Sequence, residues 1–524
     1  MLHSKLGRIK QMPPLLELRD ITKRFPGVLA NDHINLSVRA GEVHALLGEN
    51  GAGKSTLMNI LYGLYERDGG EIFVRGERAT IESPADAIAL GIGMIHQDFM
   101  LIPRFTVVEN VVMGEGADDG GPLLNLQDAA LRLEKLSKMY GLAVDPHARV
   151  ADLSVGEEQR VEILKLLYRD ATVLIMDEPT AVLTPQECEA LFGVLRTLAE
   201  QGHAIIFITH KLHEVMTFSN RVTVLRDGQV VAVRETEDTD SAELAHLMVG
   251  REVNFQVDRQ PHTPGDNVLE VSDLRVLDNV GRQKVRGVSF AVRQGEILGL
   301  AGVEGNGQSE LAEALMNLRE VQAGTVRVAG TDVTHRSPAQ HRESGIGYIP
   351  ADRRKVGSVG ELSIAENSIL GALESYTRLR RMVIHDRRVQ AHARKLVQDF
   401  DVRTPSVTFA AGKLSGGNLQ KVVLGRELMH DPQVLIVEQP TRGLDVGAAG
   451  YVRRQLIEER QRGMAILLIS AELEEILALS DRIAVMFAGQ LMGIVHLEDA
   501  DMSTLGLMMG GTRIEELPTG ALHE

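Results

Sequence analysis

GENGAGKS, Gly48 to Ser55, ends in a lysine and a hydroxyl residue and lies between the apolar run HALL and the helix-forming run STLMNILYGLY. Strand, glycine loop and helix in that order suit phosphate. Backbone N–H groups at the helix start cradle the anion, Lys54 brings positive charge to the outer phosphates, and Ser55 can ligate Mg2+. Gly48, Glu49, Asn50, Gly51, Ala52, Gly53, Lys54, Ser55 and Thr56 are therefore candidate ATP-binding residues. In VLIMDEPT, four apolar residues end in Asp177 and Glu178, which puts both carboxylates at the C-terminal end of a buried strand, where α/β sheets bind ligands. There Asp177 could hold Mg2+, and Glu178 could orient and deprotonate an attacking water. Read alone, the first motif is a glycine turn before a helix and the second an acidic strand end. Together they point to hydrolysis of ATP with Mg2+.

The same phrases recur later in the chain with altered chemistry. GEVHALLGENGAGKSTL from Gly41 is restated as GEILGLAGVEGNGQSEL from Gly295 (295 − 41 = 254), and GIGMIHQD from Gly91 as GIGYIPAD from Gly345 at the same offset. LSVGEEQ and LSGGNLQ pair Ser154 with Ser415 (415 − 154 = 261), and VLIMDEPT and VLIVEQPT pair Asp177 with Glu438 at that larger offset. The second copy thus carries about seven extra residues between these landmarks, as an internal duplication allows. In it Lys54 becomes Gln308, Gln97 becomes Ala351, Asp177 becomes Glu438, Glu178 becomes Gln439 and His210 becomes Ala471. Gln308 carries no charge to set against phosphate, and Gln439 cannot take a proton from water at neutral pH. Gly302, Gly305, Gly307 and Ser309 persist, so the second loop is expected to bind nucleotide without turning it over.

The elements that must position these groups form an α/β pattern. Each half opens with short β-rich runs, LLELRDIT and VLEVSDLR, and continues with buried strands such as AIIFIT alternating with helical stretches, which predicts a mainly parallel sheet. Between Asp98 and Ser154 the period changes. Leu126, Ala130, Leu133, Leu136 and Tyr140 recur at helical spacing, predicting a helical subdomain, and the extra residues of the second copy are expected in its counterpart, around LRRMVIHDRR. The expected domains are 14–255 and 268–515, joined by a polar linker over 256–267 that Pro261 and Pro264 break. The chain of 524 residues has 44% hydrophobic and 24% charged residues, no apolar run long enough to cross a bilayer, and an N-terminal stretch without the apolar core of a secretion signal. A single cysteine, Cys188, excludes an internal disulfide and fits a reducing compartment, and a net charge of −16 argues against broad nucleic-acid binding.

Across nearly its whole length the chain resembles the ATP-binding subunits of ABC transporters, which show in order a phosphate loop, a glutamine loop, the LSGGQ signature, an Asp-Glu pair and a switch histidine. Here these are Lys54, Gln97 in MIHQD, LSVGE from Leu153, Asp177 with Glu178, and His210 in FITHKL. The resemblance implies two tandem P-loop domains, each with a RecA-like parallel sheet, an antiparallel β subdomain and a helical subdomain. It also implies that Gln97 approaches Mg2+ and the water, and that His210 contacts the γ-phosphate. Phe25 in KRFPG stands where the family stacks adenine, a buried core position being the alternative.

In that family nucleotide lies between one half's loop and the other half's signature. One site is then expected to combine Lys54, Asp177, Glu178 and His210 with Ser415, Gly416, Gly417 and Asn418. The other combines Gln308, Ser309, Glu438 and Gln439 with Ser154 and Gly156, and is degenerate on both sides. Asp445 of PTRGLD has Thr184 as its first-half counterpart. Duplicated subunits with LSGGN in the second half resemble bacterial importers of simple sugars and nucleosides, and HQDFMLIPRFTVVEN and VEQPTRGLDVGA are closer to the nucleoside type.

The implied partners are two polytopic permease subunits and, indirectly, an extracytoplasmic solute-binding protein, at the cytoplasmic face of the membrane. Phe99 to Ile102 is the candidate dock for the permease, with ordinary core as its alternative. Duplicated ABC ATPases that act on ribosomes or DNA are the competing class. They carry a long charged linker or zinc-binding cysteines, and this chain has neither.

Overall fold

A computed structural model describes residues 14–96, 99–114, 125–180, 183–250, 262–378 and 383–517. Two compact units divide the chain, Met1–Val253 and Asn254–Glu524. In unit 1, β1 (Pro14–Phe25), β2 (Val28–Arg39), β4 (Gly69–Val74) and β5 (Glu77–Ala79) form an antiparallel sheet in the order β2-β1-β4-β5. Burial alternates along much of β2, because one face packs on the core and the other meets solvent.

The second sheet of unit 1 joins β3 (Val43–Gly48), β6 (Ile92–Ile95), β7 (Val173–Asp177), β8 (Ala204–Thr209), β9 (Arg221–Arg226) and β10 (Gln229–Glu235) in the order β10-β9-β3-β8-β7-β6. All its pairings are parallel except β9 with β10. VHALLG of β3 and AIIFIT of β8 are buried at every position, as strands covered on both faces must be. Register sets Leu47 beside Thr209 and Asp177 beside Ile208, so the ends of β3, β7 and β8 emerge together. The loop after β3 leads into α1 (Lys54–Leu61).

The helical part contains α2 (Leu126–Tyr140) and α3 (Val155–Tyr168), and α4 (Pro185–Glu200) runs from β7 back to β8. On α2 the buried face is Ala129, Ala130, Leu133 and Ser137, with Leu136 and Tyr140 partly covered. Leu126, expected on that face, is exposed: it is the first residue after the Asn125 N-cap, where the helix has only begun to pack.

Unit 2 repeats the plan. Its antiparallel sheet contains β11 (Asn267–Leu277), β12 (Gln283–Arg293), β14 (Val321–Val328) and β15 (Thr331–Asp332), ordered β12-β11-β14-β15. Its main sheet contains β13 (Ile297–Ala301), β16 (Ile346–Ile349), β19 (Val434–Glu438), β20 (Ala465–Ser470), β21 (Arg482–Phe487) and β22 (Gln490–His496), ordered β16-β19-β20-β13-β21-β22. A short hairpin, β17 (Thr377–Arg378) with β18 (Val383–Ile384), lies within the expected extra segment, part of which falls outside the described residues. Some of the extra residues lie earlier than expected. Asn110 and Asn367 each hold the loop before their helix by side-chain hydrogen bonds, through Ile102 and Val359, and this pair is separated by more than Gly91 and Gly345 are. The helices used below are α5 (Gln308–Leu315), α6 (Gly416–Leu428) and α7 (Val446–Gln461).

Candidate functional site

The first loop is held open by its glycines. Gly51 has φ 88° and Gly53 φ 97°, and a Cβ on Gly53 would lie 2.3 Å from the Ala30 carbonyl oxygen, so only glycine fits there. The buried Asn31 amide donates to Gly53 O at 3.1 Å from beneath. Lys54, 6% exposed at the start of α1, spans the loop and donates to Gly48 O at 2.6 Å and Glu49 O at 3.0 Å. Burial lowers its ammonium below the usual lysine value, against the attraction of Glu178, Asp177 and Glu49. Glu49, Asn50, Gly51, Ser55 and Thr56 are at least partly open to solvent, while Ala52 packs inward.

Asp177, at the end of β7, hydrogen-bonds the Ser55 hydroxyl. Glu178, the next residue, has φ 47°, a left-handed conformation that strains any residue with a Cβ, and its N–H is tied to Ile208 O at 3.0 Å. Its Oε1 lies 2.8 Å from His210 Nδ1. The two carboxyls are pushed apart in acidity. Burial and then the Glu178 charge raise Asp177, over the opposing Ser55 hydrogen bond. Burial also acts to raise Glu178, but the hydrogen bond and charge of His210, with Lys54 and Lys211, outweigh it and hold this carboxyl below its usual range. Glu178 is thus an ionised acceptor at neutral pH, the form a base needs. The Ser55 hydroxyl and Asp177 carboxylate form an all-oxygen donor pair suited to Mg2+.

Glu214 belongs to none of the sequence motifs. Its carboxylate accepts from Thr180 at 2.5 Å and Thr209 at 2.8 Å, bracing the turn after Glu178 against the end of β8. Glu475 repeats the brace on Thr441 and Ser470 in unit 2. The signal was available, since a hydroxyl five residues before a glutamate, Thr209 to Glu214 and Ser470 to Glu475, recurs in both copies.

The two signatures differ in what fills the helix N-terminus, a natural anion seat. Ser154 caps α3, and Glu157 turns back onto it, accepting from both the Ser154 N–H and hydroxyl at 2.8 Å. These hydrogen bonds keep the Glu157 carboxyl below its usual range, so a negative charge already sits at that seat. Ser415 caps α6, and there the matching residue, Asn418, is neutral, its amide donating to Ser415 Oγ at 2.9 Å. Gly156 and Gly417 admit no Cβ without displacing Glu187 and Ala448 respectively, and Gly416 has the Arg353 guanidinium against it. Thr184 and Asp445 serve one local purpose, capping α4 and α7.

In unit 2 the loop backbone survives. Gly305 and Gly307 have φ 92° and 106°, Gly302 is extended at φ 159°, and a Cβ on Gly307 would lie 2.4 Å from Lys284 O. Gln308 donates to Val303 O at 3.0 Å, matching the bond of Lys54 to Glu49 but without charge. Glu438 accepts from the Ser309 hydroxyl on one oxygen and from the Tyr348 hydroxyl, at 2.9 Å, on the other. Burial and Glu438 push the Tyr348 phenol up, so it remains a donor. Gln439 keeps the strained turn, with φ 46° and its N–H 2.8 Å from Ile469 O.

Gln97 lies outside the described residues. Phe25 is 37% exposed at the end of β1, edge-on to Tyr65 with ring centroids 5.5 Å apart, which departs from the buried-core alternative. Met100, 67% exposed, and Ile102 face solvent, whereas Leu101 packs on the core.

A family model described as ABC transporter matches residues 31–181 and again 285–442. The chain belongs to the ABC transporter family, as an ATP-binding subunit that carries the ATPase domain twice. Among its relatives, a glucose import ATP-binding protein of Haloferax volcanii is 48% identical over 95% of this chain and 96% of that protein. A nucleoside import ATP-binding protein of Lactococcus lactis is 46% identical over 96% and 99%, and a guanosine import ATP-binding protein of Bacillus subtilis 48% identical over the same shares. Among solved structures, the archaeal ribosome recycling factor aABCE1 matches 94% of this chain and 92% of its own with a TM-score of 0.60 at 19% identity, a likeness of fold alone.

Proposed function

We propose that the chain is the energy-coupling subunit of an importer for nucleosides or simple sugars, hydrolysing ATP at one site only. The observation that carries this is the contrast at one strained turn: Glu178, bonded to His210 beside Lys54 and Asp177, against Gln439 in the repeat. Lys54 and the loop N–H groups bind the phosphates, Glu178 accepts the proton of the attacking water, and His210 holds Glu178 ionised and oriented. Phe25 offers an exposed ring for adenine. Ser55 and Asp177, with Gln97, are the residues for Mg2+, which when bound neutralises phosphate charge. By motif pairing, Ser415, Gly416, Gly417 and Asn418 complete this site, while Ser154 and Gly156 serve the degenerate one at Gln308, Ser309, Glu438 and Gln439, where nucleotide is retained.

The working domains are 14–255 and 268–515, joined by 256–267. No helix among the described residues is long and apolar enough to cross a membrane, so transport needs permease subunits. Two of them would lie at the cytoplasmic face, fed by a solute-binding protein, with the segment Phe99 to Ile102, whose Met100 and Ile102 face solvent, as a dock for a permease. Nucleoside cargo is favoured by the motifs HQDFMLIPRFTVVEN and VEQPTRGLDVGA. The Haloferax relative, named for glucose import, supports sugar as the second reading. Reconstitution with the permease and binding protein, followed by a screen for the solute that stimulates phosphate release, separates the two. No stimulation by any nucleoside or simple sugar would reject both.

A further inference from the structure

Ser309, Glu438 and Ala351 stand at the sequence positions matching Ser55, Asp177 and Gln97, the residues that would hold Mg2+ in unit 1, and they do not fit the ion. Ala351 has no donor atom. Glu438 is only 5% exposed and has both oxygens engaged, one by Ser309 and one by Tyr348 at 2.9 Å. The longer glutamate arm reaches both hydroxyls at once. Met94, which precedes Gln97 as Tyr348 precedes Ala351, has no hydroxyl to give in unit 1. Ser55 and Asp177 share the first of these bonds in unit 1, so what sets Glu438 against a metal is the second: an incoming ion would have to displace the Tyr348 hydroxyl from a nearly buried carboxylate.

The positive charge of this loop lies elsewhere. Lys284 Nζ donates to Gly305 O at 3.2 Å, at the rim of the loop. Lys284 stands where Ala30 stands in unit 1, since the carbonyl of each closes on the last loop glycine, Gly307 or Gly53. A lysine thus stands beside the loop that carries none within it.

We propose that the second loop takes a nucleoside polyphosphate without a divalent cation, with Lys284 meeting charge that Lys54 and Mg2+ meet in the first. This rests on the reading that unit 2 retains nucleotide. The test uses the full chain carrying Lys54→Ala, which silences the first loop, titrated with a fluorescent ATP analogue in excess Mg2+ and again in excess EDTA. The expected result is one affinity in both buffers to within about twofold, weakened about tenfold by Lys284→Met. Tyr348→Phe, which releases one Glu438 oxygen, should make binding tighter in Mg2+ than in EDTA. Binding that disappears in EDTA overturns the proposal, as does a Lys284→Met chain of undiminished affinity or a Tyr348→Phe chain that ignores Mg2+. Absence of binding in both buffers, with the unfolding temperature unchanged, instead overturns the retention of nucleotide by unit 2.

Discussion

Replacing Glu178 by Gln removes one charge and changes almost nothing else. The residue sits at φ 47°, where most substitutions invite backbone strain, yet Gln439 occupies the same turn at φ 46° in unit 2, so glutamine is accommodated there. The amide can keep a hydrogen bond to His210, 2.8 Å away in the native chain, because either ring tautomer finds a partner in it. What disappears is the anionic acceptor that His210 and Lys54 hold ionised. A positioned general base contributes about 10²- to 10⁴-fold, or about 2.7–5.4 kcal/mol of barrier, so phosphate release should fall by that factor. The assay is steady-state phosphate release by the full chain, run beside titration with a fluorescent ATP analogue, whose affinity should stay within about threefold. Loss of less than about tenfold in turnover, or recovery of turnover by adding Gln439→Glu, would refute the assignment of the base.

Gly53→Ala places a Cβ 2.3 Å from Ala30 O at φ 97°; loss of nucleotide binding and about 1–3 kcal/mol of unit 1 stability should appear in denaturant titration. Ser154→Ala and Ser415→Ala should each lose about 1 kcal/mol as helix caps, but only Ser415→Ala should also slow phosphate release; equal kinetic effects would contradict the motif pairing. His44 is fully buried, with its ring nitrogens 2.8 Å from Glu42 and Thr223, and Arg221 and Glu235 also act on it. Burial lowers its pKa below the ordinary 6.5 despite Glu42, so the stability it contributes is present above about pH 6.5 and is lost as pH falls below that value. His203, His341, His392 and His430 are lowered by burial too, so calorimetry between neutral and mildly acidic pH should show a slope from which His44→Leu removes up to about 1.4 kcal/mol per pH unit, leucine being the residue at the matching place in unit 2. An unchanged slope would place the acid sensitivity elsewhere.

Much of the first site was legible because its parts are local. GENGAGKS is one continuous stretch of chain whose glycines, lysine and serine are brought together by adjacent backbone, and VLIMDEPT carries its carboxylates out on a strand whose burial its own composition announces. Comparing the two copies exposed the lost groups, since a substitution on a retained frame needs no coordinates to be noticed. Leu126, exposed at the start of α2, shows the converse: helical spacing marks a face but not how far along the helix a neighbour covers it.

Tertiary structure alone decided what the altered residues do. The hydrogen bond from Ser309 to Glu438 joins residues 129 apart in sequence, that from Tyr348 to Glu438 joins residues 90 apart, and neither pair forms a motif. Lys284 reaches its loop from a neighbouring strand, and the left-handed turn at Glu178 follows from its tie to β8. Sequence determines which groups are present and which lie within one turn of each other. Distances across the sheet depend on strand order and register, which fold distant segments together, and with them whether a carboxylate remains open to a metal or is already engaged.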